Sequence, residues 1–309
     1  MNLVEDHSNL NGFQSIIRLI CVALIFLLVG LMVFSFPLGL YILFNTDIGR
    51  NSAIIVKILF VTLWLIYLAL FLISAKGPHL KLYNFPKIAL TGGLQKIFGN
   101  TILTIALTFS ALLWITLFIS LLQESAGIPT GSLPETNPIL DFLSDSTAPI
   151  LEELIFRFFS IGTALVVILI FRGTPFNSFK AFWRPAEYFS ELKKIDMKIL
   201  YLVVFISGLL FGFAHYALGG GWEIGKVTTS SLVGIILGLI YLFHGLPGAI
   251  LLHWSFNYFA GSFYYFEKVV GEGSLLYFAD WTMLVTGLAS ILLFLIYALK
   301  RIFTRLGYL

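Results

Sequence analysis

Residues 101–122 read TILTIALTFSALLWITLFISLL, without one ionisable side chain. A helix of that length rises about 30 Å, the thickness of a bilayer's hydrocarbon core. Comparable runs recur along the chain. Eight spans are expected, at about 14–37, 52–74, 99–122, 146–171, 199–218, 228–243, 247–266 and 281–302, the first able to run on towards Phe44 with a bend at Pro37. Of the 309 residues, 59% are hydrophobic and 11% charged, where a soluble domain carries about 25% charged residues. The fold class is therefore all-α, a polytopic membrane protein of about eight transmembrane helices forming one helical domain over residues 1–309. Span six is short, and only His244-Gly245-Leu246 separates it from span seven, with Pro247 following, so the two should form a tight helical hairpin.

Composition also sets exclusions. A net charge of +3 spread over loops gives no basic patch for nucleic acid. Cys21 is the one cysteine, which rules out internal disulfides and multi-cysteine metal sites; in an apolar run it reads as a packing residue. Glu5 and Asp6 stand where a signal peptide would be basic, so the first span reads as retained. The longest polar stretches, about 75–98, 123–145 and 172–198, read as loops. In the first of them Leu82, Phe85, Ile88, Leu90, Leu94 and Phe98 suit an interfacial helix.

Positive charges orient the spans. The N-terminal arm, the even-numbered loops and the C-terminal tail hold fourteen Lys and Arg residues, from Arg18 to Arg305; the odd-numbered loops hold Arg50, Lys226 and Lys268. Both termini are therefore expected in the cytoplasm of a multi-pass cell-membrane protein. Loop 123–145, with Glu124, Glu135, Asp141 and Asp145 and no Lys or Arg, is expected outside.

Ionisable groups inside a span are costly and need a reason. Lys57 and Arg18 lie near helix ends and can snorkel. His7, His79 and His244 fall in polar segments or the hairpin turn. Three groups resist that explanation. Pro149-Ile-Leu-Glu152-Glu153-Leu-Ile-Phe-Arg157 opens span four; Glu153 and Arg157, four apart, share a helix face and neutralise each other. Glu152 is rotated about 100° away and lacks that partner. Phe211-Gly-Phe-Ala-His215 ends span five. His253-Trp-Ser-Phe-Asn257 lies in span seven with His253 and Asn257 on one face. Together these groups offer a general base, holders for a water and neutral donors for a developing oxyanion. Four costly polar groups on three helices should line one water-accessible cavity. Glu152, His215 and His253 would also suit a zinc site of two histidines and a carboxylate, but no HExxH spacing compels zinc. The reading without metal or other cofactor is preferred.

The ordered motifs EExxxR, FxxxH and HxxxN, on three helices within about 146–260, resemble those of the CAAX protease and bacteriocin-processing (CPBP) family, which includes the type II CAAX prenyl endopeptidases. The resemblance implies an intramembrane endopeptidase of glutamate type. Glu152 with His215 would activate water and His253 with Asn257 would stabilise the oxyanion. Glu153, Arg157 and Phe211 would support the site. It implies a membrane-associated peptide as partner, isoprenylated in the CAAX members. The alternatives are a non-catalytic immunity or scaffold protein of the same fold, or a transporter using these residues as a proton or ion relay.

Two tensions remain to be met by the structure. CAAX processing is cytosolic, whereas the charge count sets Glu152 about 9 Å below the outer start of span four. His215 lies near the outer end of its span and His253 near the inner start of its own. They converge only if the hairpin at Gly245–Pro247 is buried or Gly219-Gly220-Gly221 turns the chain inwards.

Overall fold

The computed structural model describes residues 3–77, 80–87, 98–174, 177–218 and 220–305. The expectations for His79 and for the helical stretch through Ile88, Leu90 and Leu94 lie outside these residues, as do the side chains of His7 and Arg18.

Among the described residues, seven stretches are long and apolar enough to cross a membrane. They belong to α1 (Leu3–Asn45, apolar from Leu19), α2 (Ile54–Lys76), α3 (Thr101–Ser125), α4 (Pro138–Arg172), α5 (Lys194–Leu218), the run Ile224–Val270, and a last helix, Ser274–Arg305. Large apolar side chains such as Ile55, Leu65, Leu72, Leu202 and Leu295 stand exposed on the bundle surface, as lipid contact requires.

The run Ile224–Val270 is folded in two. Gly245 has φ 77° and ψ −178°, which no helix accommodates. A chain of contacts proves the reversal: Arg157 donates to the Gly234 carbonyl (3.0 Å) and lies 3.2 Å from Glu153 Oε1, which lies 2.9 Å from His253 Nδ1. In one straight helix Gly234 and His253 would be about 28 Å apart. Residues 224–244 are therefore α6, residues 246–270 are α7, and Ser274–Arg305 is α8. The expected hairpin is present, and the eight expected spans are seven apolar stretches with one doubled back. Its tip, Gly245 to Pro247, is buried under the short helix Ser178–Trp183 and the 3₁₀ segment Pro185–Glu191. A Cβ at Gly245 would fall on the Trp183 carbonyl oxygen, and the Tyr241 hydroxyl donates to the Phe182 carbonyl (2.8 Å). The depth of His253 is met by this buried tip.

Several boundaries move. α1 continues through Pro37 to Asn45. α4 starts at Pro138, well before residue 146, because Asn137 caps it through its side chain and Pro138 takes the first turn. Asp141 and Asp145 are thus helical rather than loop residues. Asp141 accepts from the Thr136 amide and hydroxyl, and Asp145 from the Tyr265 hydroxyl (2.8 Å). Pro149 sits inside the helix, so Glu152 lies about 20 Å along it, not 9 Å.

Two packing features place the site. α5 and α6 meet backbone to backbone through Gly208 and Gly212 on one and Gly234 on the other, while Gly238, four residues on, makes room for the Val204 side chain. A Cβ on Gly234 would sit 2.9 Å from the Gly208 carbonyl oxygen. On α7, Trp254 stacks on Phe36 (5.3 Å) and Tyr258 (5.5 Å), facing α1 and α2. That leaves His253, Phe256 and Asn257 on the other face.

Candidate active site

The site forms where α4, α5, α6 and α7 meet. Immediately after Glu153 the α4 backbone widens into a π-helix, Leu154–Gly162, and immediately after Trp254 α7 does the same over Ser255–Phe259. Such wide turns concentrate at functional positions, because they re-aim side chains that a regular helix would stack. The first is braced by the Ser207 hydroxyl of α5, which donates to the Phe156 carbonyl (2.5 Å).

Glu153 and Arg157 are fully buried. Their pairing was legible from spacing, but the structure adds His253 as a second partner of Glu153 and the Gly234 carbonyl as a second partner of Arg157. The guanidinium also lies over the Phe211 ring at 4.4 Å. With no Cβ at Gly234, this turn of α6 packs against the Gly208 backbone of α5 while its carbonyl accepts from Arg157 of α4.

Glu152 is the less committed of the two acids. Its side chain is 31% exposed, its Oε2 makes no hydrogen bond to protein, and the nearest cation-forming group is His253 Nε2 at 3.8 Å. His253 is thus gripped at Nδ1 by Glu153 and faces Glu152 with Nε2. His215 Nδ1 lies 2.9 Å from the Phe211 carbonyl, which can only accept, so Nδ1 carries the proton in that bond and Nε2 keeps its lone pair. Phe211 meets both histidines edge-on, His215 at 4.7 Å and His253 at 5.7 Å between ring centroids. Glu152, His253 and Lys226 are all near enough to act electrostatically on His215.

A cavity of about 490 Å³ opens beside them, lined by Phe211, His215, His253, Phe256 and Asn257, by Thr130 of the α3–α4 loop, Lys226, Thr229 and Ser230 of the first turns of α6, and Asp280 and Met283 of α8. The structure brings His215, His253 and Asn257 to this one cavity. Glu152 does not line it, contrary to the expectation that all four would; it reaches His253 from the α4 side. Lys226, Asp280 and Thr130 were not read as site residues, because Lys226 and Asp280 fell just outside the expected spans and Thr130 in a loop. Lys226 within four residues of an apolar run was the signal available.

Among the described residues no three His, Cys, Asp or Glu side chains are grouped to hold a metal ion, Glu152, His215 and His253 included. The bland readings hold elsewhere: Lys57 donates to the Arg50 carbonyl at its helix end, and His244 meets the Thr101 hydroxyl at 3.3 Å.

Residues 138–259, less than half of the chain, match the family model described as Type II CAAX prenyl endopeptidase Rce1-like. The matched segment begins with α4 and ends with the π-helical turn of α7, so it contains all three motifs and the hairpin. No curated protein and no solved structure matches the chain. Over this segment the chain is similar to the CAAX proteases, and its seven apolar stretches are those of a multi-pass membrane protein.

Proposed function

We propose that the chain is a glutamate-type intramembrane endopeptidase in which Glu152 is the general base. The observation that carries this reading is the division of labour between adjacent acids. Glu153 is fully buried with Oε1 held by Arg157 and His253, whereas Glu152 is 31% exposed, pairs with no Arg or Lys among the described residues, and has Oε2 3.8 Å from His253 Nε2; Oε2 of each acid is without a hydrogen bond. An acid sealed from solvent against a buried guanidinium is a poor base; a part-exposed one beside a held imidazole can meet a water and accept its proton.

In the proposed reaction, Glu152 takes a proton from a water that His215 Nε2 helps to hold. The water oxygen bonds to the peptide carbonyl carbon, and charge moves to the carbonyl oxygen. The Asn257 side-chain amide donates to that oxyanion, and the His253 ring, held at Nδ1 by Glu153, stabilises it from the other side. Collapse breaks the C–N bond, and the proton held by Glu152 passes to the departing amine. Water is added across the bond and the site returns to its starting charge.

The substrate is a membrane-associated peptide. The cavity reaches the α3–α4 loop, the start of α6 and the start of α8, which lie at the end of the bundle poor in Lys and Arg. We therefore place access on the extracytoplasmic side or laterally from the bilayer. Purified protein in detergent should cleave a farnesylated CAAX peptide or its unmodified counterpart, and Glu152→Gln should cleave neither. Full turnover by Glu152→Gln would end this reading.

A further inference from the structure

We infer that the cavity carries a subsite for a carboxylate of the substrate, formed by the Lys226 ammonium and the Thr130 hydroxyl; this rests on the protease reading above and names the recognition chemistry of the same site.

Lys226 sits in the first turn of α6 and lines the same cavity as His215, His253 and Asn257. A lysine in an apolar span is costly unless something answers its charge. Among the described residues Lys226 makes no ion pair. Its ammonium rests over the Trp222 ring at 3.7 Å, a contact that orients a cation without neutralising it. Asp280 lines the cavity too, yet the two do not pair. Thr130 supplies the independent second observation. Thr130 lines the same cavity, and its hydroxyl oxygen, just beneath that wall, is buried with no hydrogen-bond partner. The Thr130 carbonyl accepts from the Glu223 amide (3.0 Å) and the Pro129 carbonyl from the Gly225 amide (2.9 Å), which fixes this loop against the start of α6. An unpartnered hydroxyl and an ammonium without a direct ion pair, on which the Glu152 carboxylate acts only from a distance, suit one ligand chemistry, an anionic oxygen group of the size of a carboxylate. In a peptide substrate that carboxylate is either the C-terminus or an acidic side chain near the cut.

The alternative role for Lys226 is an interfacial anchor on Trp222, which would affect stability alone. Three matched peptides separate the cases: one with a free C-terminal carboxylate, its C-terminal amide, and the amide carrying one glutamate near the cleaved bond. The protein should favour a carboxylate-bearing peptide over the plain amide by about ten- to a hundredfold in kcat/KM, the range of a charge-assisted hydrogen bond. Whichever carboxylate gives the preference identifies its source. Lys226→Met should bring the ratio close to one, Lys226→Arg should keep most of it, and Thr130→Val should reduce it in part. A ratio that survives in Lys226→Met, or no preference in the unaltered protein, overturns the subsite. Binding of the same labelled peptides to Glu152→Gln, read by fluorescence anisotropy, runs beside the kinetics. If no peptide is cleaved by the unaltered protein, the protease reading fails, and equal binding of all three peptides overturns the subsite separately.

Discussion

His253 Nδ1 lies 2.9 Å from Glu153 Oε1, although a hundred residues separate them in the chain. This contact ties the hairpin helix α7 to α4 at a point where Glu153 is already held by Arg157. It converts Glu153 from one half of a local helix pair into the junction of three side chains. The neighbouring Glu152 then differs from Glu153 in commitment rather than in chemistry.

Exchange of each acid for its amide should separate those roles. Glu152→Gln is expected to leave unfolding in detergent within about 1 kcal/mol of the parent, since its Oε2 makes no hydrogen bond and its one ion contact, to His253, is long, and to abolish turnover. Glu153→Gln removes the charge facing a fully buried Arg157 and should cost about 3–5 kcal/mol. Thermal unfolding and peptide turnover on the same samples check both. A stable, inactive Glu153→Gln with an active Glu152→Gln would reverse the assignment.

Gly234 should prove intolerant of even one carbon. Its Cβ would meet the Gly208 carbonyl oxygen at 2.9 Å and Cα at 3.0 Å, both backbone atoms unable to step aside. Gly234→Ala should destabilise by about 1–3 kcal/mol through overpacking. It should also lower activity, because the carbonyl that Arg157 uses moves with it. Gly30→Ala is the control. It sits in α1 with nothing within 4 Å and should be neutral or slightly stabilising. Equal melting of the two variants would refute the backbone-contact account.

Chelation gives a third test. Because no three suitable side chains converge among the described residues, activity should persist after dialysis against a strong chelator. Loss of turnover that added zinc restores would show that the side chains regroup around a metal.

How far the sequence reached follows the range of each signal. The spans were legible from composition, and the hairpin from Gly245 and Pro247 within three residues of each other. The three motifs were legible because each lies within one helix turn or two. Contacts across the chain were not. Spacing shows Glu153 and Arg157 four apart, but nothing in it pairs Glu153 with His253. The start of α4 was misplaced because Pro149 resembles a helix beginning, while the cap–proline pair Asn137-Pro138 sits in a polar stretch. Lys226 and Thr130 reached the site through the α3–α4 loop folding onto α6, a tertiary event with no local periodicity. The two small-residue pairs, Gly208/Gly212 and Gly234/Gly238, were visible in the sequence and unused; their spacing is the one signal that would have foretold the α5–α6 contact.

The last prediction concerns the membrane side on which the cavity opens. Charge asymmetry sets fourteen Lys and Arg residues on one set of segments against three on the other, a strong bias for short loops. The structure complicates the depth argument, because Glu152 lies about 20 Å along α4 rather than near its start. It strengthens the access argument, because the cavity is lined by Thr130 in the α3–α4 loop and by residues in the first turns of α6 and α8. Nothing lining it belongs to the segment after α4, where Lys180 and Glu187 form an ion pair on the hairpin's cover. Cysteine labelling decides the matter after Cys21→Ala. A reporter at Ser132, exposed in the α3–α4 loop, should react with a membrane-impermeant maleimide in intact cells. A reporter at Ser190, in the cover, should react only after permeabilisation. A peptide in the cavity should slow labelling at Thr130→Cys but not at Ser190→Cys. The reverse accessibility would place the cavity mouth in the cytosol and make a cytosolic CAAX-type peptide the substrate to pursue.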